Sequence, residues 1–192
     1  MKPKPKPKLS TKRLTALPPV EPLREMVEFK TSPVWLNLGS GSTRYEGWLN
    51  VDVRSEVNPD HVADVVDLPF RDESVDLIYA SHILEHMKDC RPLEEWHRVL
   101  KIGGRLIVAV PDILQAAAFL DAGIWDAKYF QANVYGSQVY GHDQKYFTHH
   151  QAFTSKLLIA EMTRYFTAVA LGCDGTPRQP CYGEVVVQGT KN

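Results

Sequence analysis

Cysteine is scarce in this chain. Cys90, Cys173 and Cys181 are odd in number and form no Cys-x-x-Cys pair, so neither a disulfide framework nor a thiolate metal site is indicated. Reduced thiols in a cytoplasmic protein are expected. Long hydrophobic runs are missing too: none reaches the roughly 18 apolar residues of a membrane span, and the N-terminus carries no signal-peptide core. No internal repeat recurs, and no His-Glu-x-x-His or comparable metal-ligand spacing occurs. What remains is an ordinary globular composition, 44% hydrophobic and 23% charged over 192 residues, which suits one domain with a sizeable core.

The net charge of −1 hides an asymmetry. Lys2, Lys4, Lys6, Lys8, Lys12 and Arg13 precede any acid, leaving 16 basic and 23 acidic residues for the remainder. Alternating Lys-Pro favours extended polyproline geometry and buries no core, so residues 1–20 read as a disordered basic tail. A basic arm that touches nucleic acid is the sharper alternative. An acidic folded part argues against nucleic-acid binding by the domain itself.

Residues 34–52, VWLNLGSGSTRYEGWLNVD, carry the most information. A short apolar run ends in Gly39-Ser40-Gly41, and a second ends in Asp52. At the carboxyl edge of a parallel sheet, glycines let backbone lie against a ligand, and a neighbouring carboxylate can accept hydrogen bonds from ribose hydroxyls. A dinucleotide fingerprint would want a third glycine where Arg44 stands and an acid about 20 residues on. Asp52 lies only 13 residues past Gly39. Between Gly41 and Trp48 there is room for at most one or two helical turns rather than a full crossover helix.

The blocks LNLGSG, GWLNVD, ADVVDLPFRDESVDLIYASHILEHM and EEWHRVLKIGGRLIVAVPD follow in order. This series resembles the class I S-adenosylmethionine-dependent methyltransferases over roughly residues 34–171. It is most similar to a compact bacterial-type group of predicted methyltransferases with a shortened first crossover, some linked to glycan or surface-polysaccharide modification. The resemblance implies a doubly wound, Rossmann-like α/β sheet of seven strands, mostly parallel with an antiparallel edge strand. It also implies S-adenosyl-L-methionine as cofactor. Neither an Asn/Asp-Pro-Pro-Tyr-type amine motif nor a paired-cysteine RNA motif is present. Ile102 stands where the family usually has proline in its Lys-Pro-Gly-Gly turn.

Pattern reading predicts an N-terminal helix over 21–30 and strands at 34–38, 49–53, 61–66 and 75–80. An amphipathic helix follows over 92–100, stopped by Gly103-Gly104, with a fifth strand over 105–110. Asp112 should cap a helix over 113–120, and Thr154 or Ser155 another over 156–165. Strands at 166–171 and 184–188 complete the set, giving a domain over 21–192. Within it, residues 124–153 hold eight aromatics and three histidines, and are read as a substrate-facing cap.

The expected cofactor contacts are Leu38, Gly39, Ser40 and Gly41 at the turn and Asp52 with Val53 at the ribose. Asp64 with Val65 is expected at the adenine, Asp67 being the competing carboxylate, and Ser81 follows the fourth strand. Candidate catalytic groups are His82, Asp112 and His142, a histidine base being suited to a hydroxyl acceptor. His149, His150, Tyr140 and Asp143 are further candidates. Glu85-His86 is read as a brace. No metal is expected. The expected acceptor is the oxygen or nitrogen of a small molecule or glycan-linked group, with no membrane span and no nucleic-acid partner. A cofactor-binding module without turnover and an RNA methyltransferase using the tail are the alternatives.

Overall fold

A computed structural model describes residues 26, 27, 29, 33–137, 144–171 and 183–192. The expected Lys-Pro tail, Tyr140, His142, Asp143, Cys173 and Cys181 lie outside them.

The chain alternates short buried strands with helices: β1 (Trp35–Leu38), β2 (Leu49–Asp52), β3 (His61–Val62), β4 (Val75–Ser81), α1 (Pro92–Val99), β5 (Leu100–Pro111), α2 (Ile113–Asp121), α3 (Ala127–Tyr135), α4 (Gln144–Phe147), α5 (Ser155–Met162), β6 (Thr167–Leu171) and β7 (Glu184–Thr190). The strands form one seven-stranded sheet in the order β3-β2-β1-β4-β5-β7-β6. The first five pair in parallel; β7 runs antiparallel between β5 and β6. β1 lies at the centre of the parallel part with β2 and β4 on either side, which makes its C-terminal end the point where strand order reverses. Ligands collect there in open α/β sheets. Leu36, Leu38, Val51, Ile78, Val108 and Trp96 are buried in the core beneath that edge.

The β1–β2 connection contains no helix, consistent with its shortness. A polar ladder and an aromatic cluster stand in its place. Asn37 Nδ2 donates to Asn50 Oδ1 at 3.0 Å, and Asn50 Nδ2 to Asp60 Oδ2 at 2.8 Å. Trp48 packs against Trp35 and Tyr45, with ring centroids 5.4 and 5.7 Å away.

Three expectations are corrected. In the N-terminal segment, Val27 is not helical but forms an isolated parallel bridge with Phe70. β3 is two residues rather than six, because Asp64 turns the chain: its Oδ1 accepts the Val66 N–H and its carbonyl the Asp67 N–H. Gly103-Gly104 does not stop α1. The helix ends when Leu100 turns extended to begin β5, and the glycines sit inside that strand, exchanging backbone hydrogen bonds with Lys191.

The local cap readings agree with the structure. Asp112 Oδ1 accepts the Leu114 and Gln115 N–H groups, and Thr154, rather than Ser155, caps α5.

Candidate functional site

A cavity of about 650 Å³ opens over the C-terminal ends of β1, β2 and β4, a volume ordinary for a small-molecule site. Its floor includes Gly39, Asp52, Val53, Asp64, Val65, Ser81 and His82, so the structure brings together seven of the residues expected at the site. Leu38, Ser40, Gly41 and Asp112 do not line it. Leu38 is fully buried behind the turn and Ser40 nearly so. Asp112 is spent on α2, and its Oδ2 accepts from Gln115 Nε2.

The glycine turn is built by close approach. Gly39 has φ +60°, and a Cβ there would fall 1.8 Å from Ile83 Cδ1. Only glycine meets both demands. Gly41, at φ +52°, donates its N–H to Asp52 Oδ2 at 2.8 Å, tying the turn to the end of β2.

Asp52 is buried, yet its carboxylate is heavily engaged. Oδ1 accepts the Arg54 N–H at 2.9 Å and Arg54 Nε at 3.1 Å, while Nη2 reaches Oδ2 at 3.2 Å. Burial pushes this carboxyl up, but the bonds from Arg54 and Gly41 outweigh it and hold the group below its ordinary value. The same guanidinium lies over the rings of Tyr146 and Phe147, 5.9 and 5.4 Å from their centroids. Arg54 thus joins the strand-end acid to the aromatic segment above it.

His82 sits in left-handed backbone at φ +56° between two acids. Its Nδ1 is 3.1 Å from Glu85 Oε1 and its Nε2 2.6 Å from Glu184 Oε1. Burial would lower its pKa, but the two carboxylates raise it to about 10. The ring is an imidazolium at neutral pH with both nitrogens engaged, a poor arrangement for a general base. His149 is the opposite case: burial and the nearby His86 and His82 push it down to about 4. Burial also lowers His86, whose Nδ1 donates to the Thr148 carbonyl at 3.1 Å.

The aromatic segment contributes Ala132, Asn133, Lys145, Tyr146, Phe147 and His149 to the cavity wall. Arg54, Ile83, His86 and Met87 also line it and were not singled out as contacts from sequence. Arg54 had a local clue: two positions from Asp52 on an extended chain, it falls on the same side.

The fit to S-adenosylmethionine rests on this geometry. Gly39 lines the cavity at the switch point, a buried carboxylate ends the next strand, and Asp64 and Val65 line the same cavity. These acceptors are of the kind that the adenosyl cofactor implied by the resemblance would use, and in this structure Arg54 occupies both oxygens of Asp52.

Residues 36–108 match the family model described as a methyltransferase domain. A 48-residue stretch is 42% identical to an uncharacterized protein of Methanocaldococcus jannaschii; it spans 25% of this chain and 21% of that protein. Among solved structures, the chain resembles a SAM-dependent methyltransferase of Thermotoga maritima, described as a possible histamine N-methyltransferase. That match has TM-score 0.55 and 19% identity, covering 84% of this chain and 83% of the other. It also resembles the 1,6-didemethyltoxoflavin-N1-methyltransferase of Burkholderia thailandensis, solved with 1,6-didemethyltoxoflavin and S-adenosylhomocysteine. Here TM-score is 0.52 and identity 16%, covering 83% of this chain and 72% of the other.

Proposed function

We propose that this chain, a class I methyltransferase by fold, binds S-adenosylmethionine over the Gly39 turn and transfers its methyl to oxygen or nitrogen of a small-molecule or glycan-linked acceptor. One observation carries the reading: Gly39 lines the cavity at the switch point, and the Gly41 N–H ties its turn to the buried Asp52 carboxylate. The cofactor supplies an activated methyl with its leaving group installed. The protein's work is therefore positioning and exclusion of water.

Gly39 lets the cofactor's amino-acid portion lie against backbone. Asp52 receives the ribose hydroxyls once Arg54 swings aside, and Asp64 with Val65 borders the base. Tyr146, Phe147 and Asn133 roof the cavity opposite these strand ends and hold the acceptor in a largely apolar wall. His82 acts by position: its two carboxylate contacts fix Glu85 and Glu184 across the floor. Asp112 positions α2, and His142 lies outside the described residues. No helix among the described residues is long and apolar enough to cross a membrane.

Calorimetric titration with S-adenosylhomocysteine tests the reading. Wild-type protein should bind with a micromolar Kd, and Asp52→Ala should lose most of that affinity. Equal affinity in the two proteins, or no binding to folded wild type, overturns it. Methyl label recovered in a pool of sugars or small metabolites would carry the acceptor class.

A further inference from the structure

We propose that Glu85, His86 and His149 form a binding site for a divalent first-row transition cation such as Zn²⁺, at the wall of the same cavity. One carboxylate oxygen of Glu85 and one ring nitrogen from each histidine lie within 4.8 Å of one another. Three such ligands of mixed oxygen and imidazole type are a common minimum for this class of ion, and a three-ligand site leaves a position open.

The independent observation is an orphan. Glu85 is 1% exposed, and its Oε2 is buried with no hydrogen-bond partner among the described residues. A buried carboxylate oxygen left unpaired is costly, and a cation relieves that cost directly. The other oxygen, Oε1, is occupied by His82 Nδ1.

The histidines are oriented as ligands would be. His86 Nδ1 donates to the Thr148 carbonyl, which fixes the ring and leaves Nε2 as a lone pair. His149 bonds the Asn133 backbone through its ring. Backbone partners of this kind set the tautomer and direction of metal-binding imidazoles. The two rings meet edge to face, with centroids 4.7 Å apart.

The segment bearing His149 is clamped to the turn bearing Glu85. The Glu85 carbonyl accepts the His150 and Gln151 N–H groups, and Gln151 Nε2 donates to the Leu84 and Met87 carbonyls. The three ligands are therefore held by backbone rather than by long free side chains. His86 and His149 both line the cavity that the proposed function assigns to the acceptor. This assignment replaces the expectation of no metal, which rested on the lack of a recognised ligand spacing. Here the ligands come from a turn and a loop far apart in sequence.

The test is titration of chelator-treated full-length protein with Zn²⁺ by calorimetry and with Co²⁺ by visible absorption, both without S-adenosylmethionine, so that the result is separate from cofactor binding. One equivalent of either ion should bind, with Co²⁺ giving ligand-field bands. Glu85→Gln and His149→Ala, each checked for folding by circular dichroism, should weaken binding by about 100-fold or more. His61→Gln, outside the cluster, should leave it unchanged. Should Glu85→Gln fail to fold, His149→Ala decides. No stoichiometric binding to folded wild type, or binding that survives His149→Ala, overturns the proposal.

Discussion

Arg54→Met separates two opposite roles for the guanidinium that pairs with Asp52, the acid proposed to receive the cofactor's ribose. The substitution keeps the apolar stem and the backbone N–H that bonds Asp52, and removes only the fork and its contact with Tyr146 and Phe147. The Asp52–Arg54 pair is intermediate in burial, with side chains 4% and 20% exposed. Exposed pairs contribute about 0–1 kcal/mol, and breaking buried ones costs about 3–5 kcal/mol. A pair of this kind is therefore worth about 1–2 kcal/mol, with the ring contacts adding about 0.5–1 kcal/mol. If ribose hydroxyls must displace the fork, its removal abolishes that cost. S-adenosylhomocysteine affinity should then rise by about 10–150-fold, at about 1.4 kcal/mol per tenfold. The free protein should be less stable by a similar free energy, lowering Tm by about 2–4 °C per kcal/mol. Calorimetry and a thermal melt on the same preparation read both effects. A tenfold loss of affinity would refute the reasoning, because Arg54 would then be holding the cofactor rather than competing with it.

Gly39→Ala should destabilise the protein by about 2–4 kcal/mol in denaturant melts, combining left-handed strain with a methyl forced into Ile83; Ile83→Ala in the same chain should relieve the steric part alone. Asp112→Ala should cost about 1 kcal/mol through the lost α2 cap while leaving S-adenosylhomocysteine affinity within about twofold, since Asp112 does not line the cavity. Asp52 has a folded pKa below its unfolded value, so the stability it contributes is complete above about pH 4 and is lost as pH falls through the lowered folded value. Urea melts from pH 6 downward should show a shallower acid decline in Asp52→Asn, and an unchanged slope would contradict the assignment.

Local physics was legible in the sequence and distant pairing was not. The β1 turn, the acid ending β2 and the Asp112 cap each follow from residues within a few positions, so periodicity and cap chemistry found them. The glycine pair in β5 looked like a helix stop because its partner, Lys191, sits at the far end of the chain. The apolar pattern runs on past the end of β3 because the Asp64 side chain turns the backbone after two strand residues. Arg54 gains its meaning only when Asp52 is buried and Tyr146 and Phe147 fold over it. The meeting of His86 with His149 depends on a loop docked by the Glu85 carbonyl, which no spacing rule encodes.

Ile83 is the fulcrum of this arrangement. On one side its methyl tip fills the space that a side chain at Gly39 would need, and immediately after it the backbone turns to carry Glu85 and His86. A side chain at Gly39 would therefore press on the residue from which the turn carrying the orphan carboxylate begins. If the two proposed ligands do influence one another there, thermodynamic reciprocity requires each to alter the other's affinity by the same factor.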